Sequence, residues 1–146
     1  MNISIKHFSE LTSLEVYNIL DLRNKIFVVE QNCAYLDTDG NDFDALHLMI
    51  FVSNQLVGYA RLLKPGVKYN TSSIGRVLVR AENRGQNLGH IIVKHAILAI
   101  ENTYKTTEIT ISAQAHLQEF YNKHNFKTTS NEYLEDEIPH VQMQKI

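Results

Sequence analysis

Hydrophobic and polar positions change their period several times along the chain, and each change marks an element. From Asn2 to His7, Ile3 and Ile5 alternate with polar residues, which predicts a half-buried strand. Thr12 or Ser13 then caps a helix carrying Leu14, Val16, Leu20, Leu22 and Ile26. Arg23 to Gln31, reading RNKIFVVEQ, either finishes that helix or leaves it as an extended arm, with Phe27, Val28 and Val29 toward the core. Tyr35 to Asp44, YLDTDGNDFD, is an acidic loop. Ala45–Val52 and Gln55–Leu63 are apolar strands joined across Ser53-Asn54, a hairpin signal, and Lys64–Thr71 with Pro65 and Gly66 is a loop. A strand through Ile74, Val77 and Val79 follows. The helix after it sets Asn87, His90, Lys94 and Glu101 on one stripe, with Ile91, Ile92, Ala96, Leu98 and Ala99 toward a core. Glu108–Ser112 is a short strand and Ala115–Lys123 a short helix ending in Asn125. Phe126–Tyr133 and His140–Lys145 are two last strands around the acidic turn LEDEIP. The order β-α-β-β-β-α-β-α-β-β predicts an α/β domain with a mixed six- to seven-stranded sheet and helices on both faces. No repeat, linker or low-complexity segment divides residues 1–146, so one domain is expected.

Composition narrows the function classes. With 44% hydrophobic and 21% charged residues the chain has the profile of a soluble globular protein. A net charge of −2 gives no electrostatic case for nucleic acid or an anionic membrane as the main partner. Cys33 is the sole cysteine, which excludes an internal disulfide and a cysteine metal cluster and fits a reducing, cytoplasmic setting. Met1–Glu10 lacks the basic and then apolar pattern of a signal peptide, and no apolar run approaches the roughly 18 residues of a membrane span. The seven histidines include no pair at ligand spacing beside a third ligand, so no metal is expected. A calcium loop starting at Asp37 would need glycine sixth and glutamate twelfth, where Asp42 and Leu48 stand. The acidic loop is therefore expected to be solvated.

The chemistry-bearing stretch is Ser73 to Asn102, SIGRVLVRAENRGQNLGHIIVKHAILAIEN, a strand, a glycine-bearing loop and a helix. Such a loop aims several free backbone N–H groups of the helix's first turn at one spot, where the helix dipole favours negative charge. It is a phosphate cradle by construction, although a strand–turn–helix with two glycines fits plain packing as well. A Walker loop ending in Gly-Lys-Ser/Thr and a three-glycine dinucleotide loop are both absent.

Arg84-Gly85-Gln86-Asn87-Leu88-Gly89 resembles the pyrophosphate loop of GNAT-type acyl-CoA N-acyltransferases, Arg/Gln-x-x-Gly-x-Gly/Ala. Arg84 and Gly89 match, and Asn87 replaces the middle glycine. Asparagine tolerates left-handed geometry, so the cradle is expected to survive. The element order is also that of the GNAT fold from end to end. A closer resemblance, to the ElaA-like branch, is carried by LRNKIFVVEQNCAYLDTDGNDFDALHL, IGRVLVRAENRGQNLG, ISAQAHLQEFYNKHNF and YLEDEIPHVQM.

The resemblance implies acetyl transfer from acetyl-CoA to an amine, small or peptidic, with the chain a monomer or homodimer. Aminolysis of a thioester needs a neutral amine, an oxyanion stabiliser and a proton for the leaving thiolate. By the family pattern the backbone of Val77, Leu78 and Val79 holds the pantetheine arm, and an N–H of Leu78 or Val79 polarises the carbonyl. Arg84, Gly85, Gln86, Asn87, Leu88, Gly89 and His90 wrap the pyrophosphate, with Gln114 also on the cofactor side. The family motif Phe/Leu-Tyr-x-Lys-x-Gly-Phe reads FYNKHNF and selects Tyr121 as proton donor, with Asn125 in the glycine position. Glu30, Asp44, His47 and His140 are the candidate bases. Arg23, Glu30, Gln31, Asp44, His47, Tyr133 and His140 are the expected acceptor contacts. Acylation of Cys33 would be a different chemistry, but its apolar flanks point to an inert thiol. A non-catalytic acyl-CoA sensor and a purely structural domain are the alternatives from other classes.

Overall fold

Ser53 and Asn54 both take left-handed backbone, with φ 50° and 64°, the geometry whose twist joins two antiparallel strands in a two-residue turn. That hairpin links β2 (Leu46–Val52) to β3 (Gln55–Leu63) at the heart of the sheet. β1 (Asn2–His7) pairs antiparallel with β2, and β4 (Ser72–Val79) antiparallel with β3. β5 (Ile109–Gln114) runs parallel to β4, and β8 (Ile138–Lys145) returns antiparallel to β5. The computed structural model describes residues 1–146 and orders this mixed sheet β1-β2-β3-β4-β5-β8-β6, with β7 also on β8. The expected strand Phe126–Tyr133 divides into β6 (Lys127–Thr128) and β7 (Tyr133–Glu135), so the strands number eight.

Helices cover both faces. α1 (Ser13–Arg23) opens on a capping box in which Thr12 Oγ1 accepts from Glu15 N–H at 3.1 Å and Glu15 accepts from Thr12 N–H at 2.9 Å. Its Ile19 and Leu22, with Ile26, pack on Met49, Leu56, Tyr59 and Leu78. Leu14, expected on this apolar face, is exposed. α2 (Leu88–Tyr104) covers the other face through Ile92, Val93, Ala96 and Ile100, all fully buried against Leu48, Ile50, Val57 and Leu62. Burying such a side chain is worth about 1.5–3 kcal/mol, which fixes α2 firmly under the central strands. Leu98 points to solvent, one step off the buried stripe. α3 (Gln118–Asn122) is short, and the chain leaves it through Asn125 at φ 69°, the left-handed geometry expected there.

Residues Asn24–Glu30 form neither a continuing α-helix nor an extended arm but a π-helical segment. Its wider turn is held by bonds from Gln31 N–H to Ile26 C=O (3.2 Å) and Cys33 N–H to Val28 C=O (3.0 Å). Ile26 is buried as a result, whereas Val29, expected in the core, is exposed.

One irregularity positions the site. Tyr59 pairs with Leu78 but Arg61 pairs with Gly75, so Arg76 and Val77 together face Ala60, and Arg76 takes φ 52°. This β-bulge bends β4. On its other edge β4 is registered with β5 only at Ser72↔Ile109 and Ser73↔Thr110. Beyond those pairs the two parallel strands diverge, and a cleft opens between them.

Candidate active site

The cleft between β4 and β5 is walled by Val77, Leu78, Val79 and Gln114, with a volume of about 610 Å³. Its floor is the loop into α2. Asn87 precedes the helix in left-handed backbone, φ 65°, and Gly85 has φ 82°. The first bond of α2 runs from Ile91 N–H to Asn87 C=O at 3.3 Å. The N–H groups of Leu88, Gly89 and His90 therefore project ahead of it without intrahelical acceptors, as an anion site requires. Arg84 reaches over the loop, donating from Nε to Val79 C=O (3.2 Å) and from Nη2 to Glu30 Oε2 (2.7 Å). His90 lies 4.4 Å centroid to centroid from Phe120 and 2.9 Å from His124 Nε2 through Nδ1. Gln86 is exposed and outside the cleft wall. Gly89 is needed for a reason the loop pattern does not contain: a Cβ there would lie 3.3 Å from the Phe120 ring.

A second, smaller pocket of about 120 Å³ lies further along the split, bordered by Arg76, Ser112, Glu135 and His140. It shares Phe27, Gln31, Val77, Gln114, Leu117 and Tyr121 with the first. Tyr121 is 8% exposed, edge-on to Phe120 and Phe126, and burial pushes its phenol up to about 12. At neutral pH it keeps its proton and can act as a donor. Gln31 and Gln114, expected on different sides, both stand at the junction.

The early segments have a different role from the one their polarity suggests. Arg23 is fully buried and donates to Asp37 Oδ2 (2.6 Å) and Asp42 Oδ1 (2.7 Å). Arg61 bonds Asp39 and Asp42, and Arg76 contacts Asp37 at 2.8 Å. Three arginines thus meet three aspartates of the acidic loop, which is pinned to the sheet rather than solvated. Burial raises the Asp39 carboxyl, but hydrogen bonds from Arg61 and the Asn41 N–H outweigh it and bring it down to about 2. His47 is 1% exposed. It donates from Nε2 to the Asp42 carbonyl (2.9 Å) and accepts the Tyr59 hydroxyl at Nδ1 (2.6 Å). Burial lowers its pKa and keeps it neutral. Arg23 and His47 border neither of these two pockets; they line a separate one of about 170 Å³ beside α1, with their polar atoms taken up inside the protein. Asp44 is exposed and borders neither pocket. Glu30 borders the larger cleft, on Arg84, and not the smaller pocket.

The chain matches the family model of the acetyltransferase (GNAT) domain over residues 25–146. It belongs to the GNAT acetyltransferase family. This GNAT chain is 38% identical to Protein ElaA of Escherichia coli strain K12 over 139 residues, 94% of the chain and 91% of that protein. It is 39% identical to a UPF0039 protein of Synechocystis over 144 residues, 98% and 94% of the two. An acyl-CoA N-acyltransferase from Pseudomonas aeruginosa superposes with TM-score 0.94 at 40% identity, covering 100% of both chains. The crystal structure of Escherichia coli ElaA does so at 0.93 and 35%, covering 99% of each. These relatives place the GNAT chain in the ElaA-like branch, and acyl transfer is the chemistry of the family.

Three pocket residues of this GNAT chain escape a sequence reading. Arg76 sits in a strand pattern that gives no sign of the bulge. Ser112 lies within β5, where a hydroxyl carries no signal. Glu135 stands in the acidic turn, among Asp136 and Glu137, with nothing in the pattern to single it out. No helix of the chain is long and apolar enough to cross a membrane.

Proposed function

We propose that the protein transfers the acetyl group of acetyl-CoA to a primary amine by direct attack within a ternary complex. The observation that carries this reading is that two pockets share one wall, which includes the buried Tyr121. The larger pocket suits the cofactor. The N–H groups of Leu88, Gly89 and His90, with Arg84, bind the pyrophosphate, and the free edge of β4 at Val77–Val79 takes the pantetheine arm as an added strand. An N–H of Leu78 or Val79 stabilises the oxyanion as the amine attacks. Tyr121 then protonates the departing thiolate. The smaller pocket takes the amine beside Gln31 and His140, with Tyr133 at its rim. No covalent enzyme intermediate is required, and the cytoplasm, where acetyl-CoA is made and used, is the setting proposed.

The test is thiol release from acetyl-CoA with a panel of polyamines, amino acids, aminoglycosides and peptide N-termini, beside a thermal-shift measurement with acetyl-CoA. Turnover on at least one amine is expected. Ligand confined to the native state should raise stability by about 2.7 kcal/mol at a hundredfold excess over its dissociation constant. A shift without turnover on any amine would favour an acyl-CoA sensor, and no shift at all a structural domain.

A further inference from the structure

His140 has one ring nitrogen hydrogen-bonded, while the other stands beside a carboxylate with no hydrogen bond between them and is the one that can take up a proton. Nδ1 lies 2.7 Å from the Ile138 carbonyl oxygen, which can only accept, so Nδ1 carries a proton. Nε2 faces Glu135 Oε2 at 3.3 Å. The other carboxylate oxygen, Oε1, accepts from Ser112 Oγ at 3.1 Å, and the Tyr133 hydroxyl is hydrogen-bonded to the same Oγ. Backbone pairing builds this cluster. The β7–β8 hairpin sets Tyr133 opposite His140 and Glu135 opposite Ile138, turning through Asp136 and Glu137 at φ 50° and 65°. The Tyr133 ring stacks on His140, with 6.3 Å between centroids. Glu135 is thus a carboxylate oriented from two sides, lining the pocket that ends at Tyr121, with capacity for further donors.

We propose that Glu135 binds the ammonium group of the acceptor and passes one of its protons to His140 Nε2. This assignment rests on the acetyl-transfer reading above. One ammonium N–H bond breaks with its electron pair staying on nitrogen, and the proton moves through the carboxylate to the imidazole. A neutral amine remains beside an imidazolium–carboxylate pair. The amine attacks the thioester carbon, the C–S bond breaks, and Tyr121 supplies the proton for the sulfur. The nitrogen, cationic after attack, loses its second proton through water to restore the phenol. Over the cycle one proton reaches solvent with the amide and the thiol. Neither Glu30, held by Arg84, nor the buried and saturated His47 is placed for this step. The other charges in the pocket are Lys68, Arg76 and Asp136. Arg76 is committed to Asp37, and Lys68, whose pKa burial lowers, is raised in turn by the charge of Glu135.

The experiment compares the parent with Glu135→Gln, Glu135→Asp and His140→Gln, using one strongly basic amine from the panel and one weakly basic amine already neutral at the assay pH. For the basic amine, Glu135→Gln should lower kcat/KM by about a hundredfold or more, and for the weakly basic amine only by about threefold. The deficit should shrink as pH rises and the free amine becomes neutral by itself, while the acetyl-CoA thermal shift stays that of the parent. His140→Gln should follow the same pattern. Glu135→Asp, which keeps the charge but withdraws it, should fall between and decides the matter if Glu135→Gln melts below the assay temperature. Equal losses on both amines at every pH, or parental rates in Glu135→Gln, would overturn the assignment while leaving acetyl transfer intact. A parent that binds acetyl-CoA and acetylates no amine would remove both.

Discussion

Replacing Arg23 by alanine tests whether the early segments are scaffold or binding surface. The guanidinium is fully buried, and its removal takes one cation from Asp37 and one from Asp42, whose side chains are 3% and 13% exposed. Breaking a buried ion pair by deleting one partner costs about 3–5 kcal/mol, because an uncompensated charge is left behind. Here neither aspartate is stranded. Asp37 keeps Arg76 at 2.8 Å and the Tyr35 hydroxyl at 2.7 Å, and Asp42 keeps Arg61 at 3.1 Å. The lower end of the range, about 3 kcal/mol, is therefore expected. In a chain of this size that corresponds to a fall in Tm of about 6–12 °C. Urea and thermal unfolding of the parent, Arg23→Ala, Asp37→Ala and the double variant provide the measurement. The double variant should lose less than the sum of the singles by about 0.5–3 kcal/mol, since the pair is removed together. A loss below about 1 kcal/mol, which is typical of a solvent-exposed ion pair, combined with a raised KM for the amine, would refute the scaffold role and return Arg23 to the substrate.

The remaining predictions concern chemistry, the cofactor loop and pH. Tyr121→Phe should lower kcat by about a hundredfold, removing a proton donor but no packing, with the acetyl-CoA thermal shift retained; unchanged turnover would mean that water supplies the proton. Glu30→Gln should leave the amine's KM unaltered and, by freeing Arg84 from an exposed pair worth about 0.2–1 kcal/mol, strengthen acetyl-CoA binding by no more than about fivefold. Weaker binding in isothermal titration would contradict that geometry. Gly85→Val should abolish acetyl-CoA binding through its positive φ, whereas Gly89→Val should also lower Tm by driving a side chain into Phe120. Stability should respond to acid in two ranges. The lowered pKa of His47 means that only the unfolded chain takes up its proton just below pH of about 6.5, so stability starts to fall there as pH drops. The depressed Asp39 and Asp42 contribute stability that is full above the unfolded value of about 3.9 and is lost as pH falls through the lower folded values. A urea midpoint that is flat from pH 6 to 2 would show that these groups are not held as described.

Whatever depends on local period and local backbone preference was legible in the chain. The alternation of Ile3 and Ile5 and the apolar runs of β2 and β3 specify strands on their own. The Ser53-Asn54 turn, Asn87 before α2 and Asn125 after α3 all adopt the left-handed geometry that asparagine tolerates, as φ values of 64°, 65° and 69° at the three asparagines show. The turn into α2 and the short helix that carries Tyr121 were legible for the same reason, since each belongs to one short continuous segment. Tertiary structure decided what depends on residues far apart in sequence. Charge in YLDTDGNDFD reads as solvated until Arg23, Arg61 and Arg76 arrive from α1, β3 and β4 to neutralise it. His47 reads as a candidate base until Tyr59 and the Asp42 carbonyl occupy both its nitrogens. The bulge at Arg76 follows from register against β3, and the gathering of Ser112, Glu135 and His140 from β8 lying between β5 and β7. A side chain's type fixes which bonds it can make, but only the fold brings up the partner that determines whether it is still free to bind a substrate.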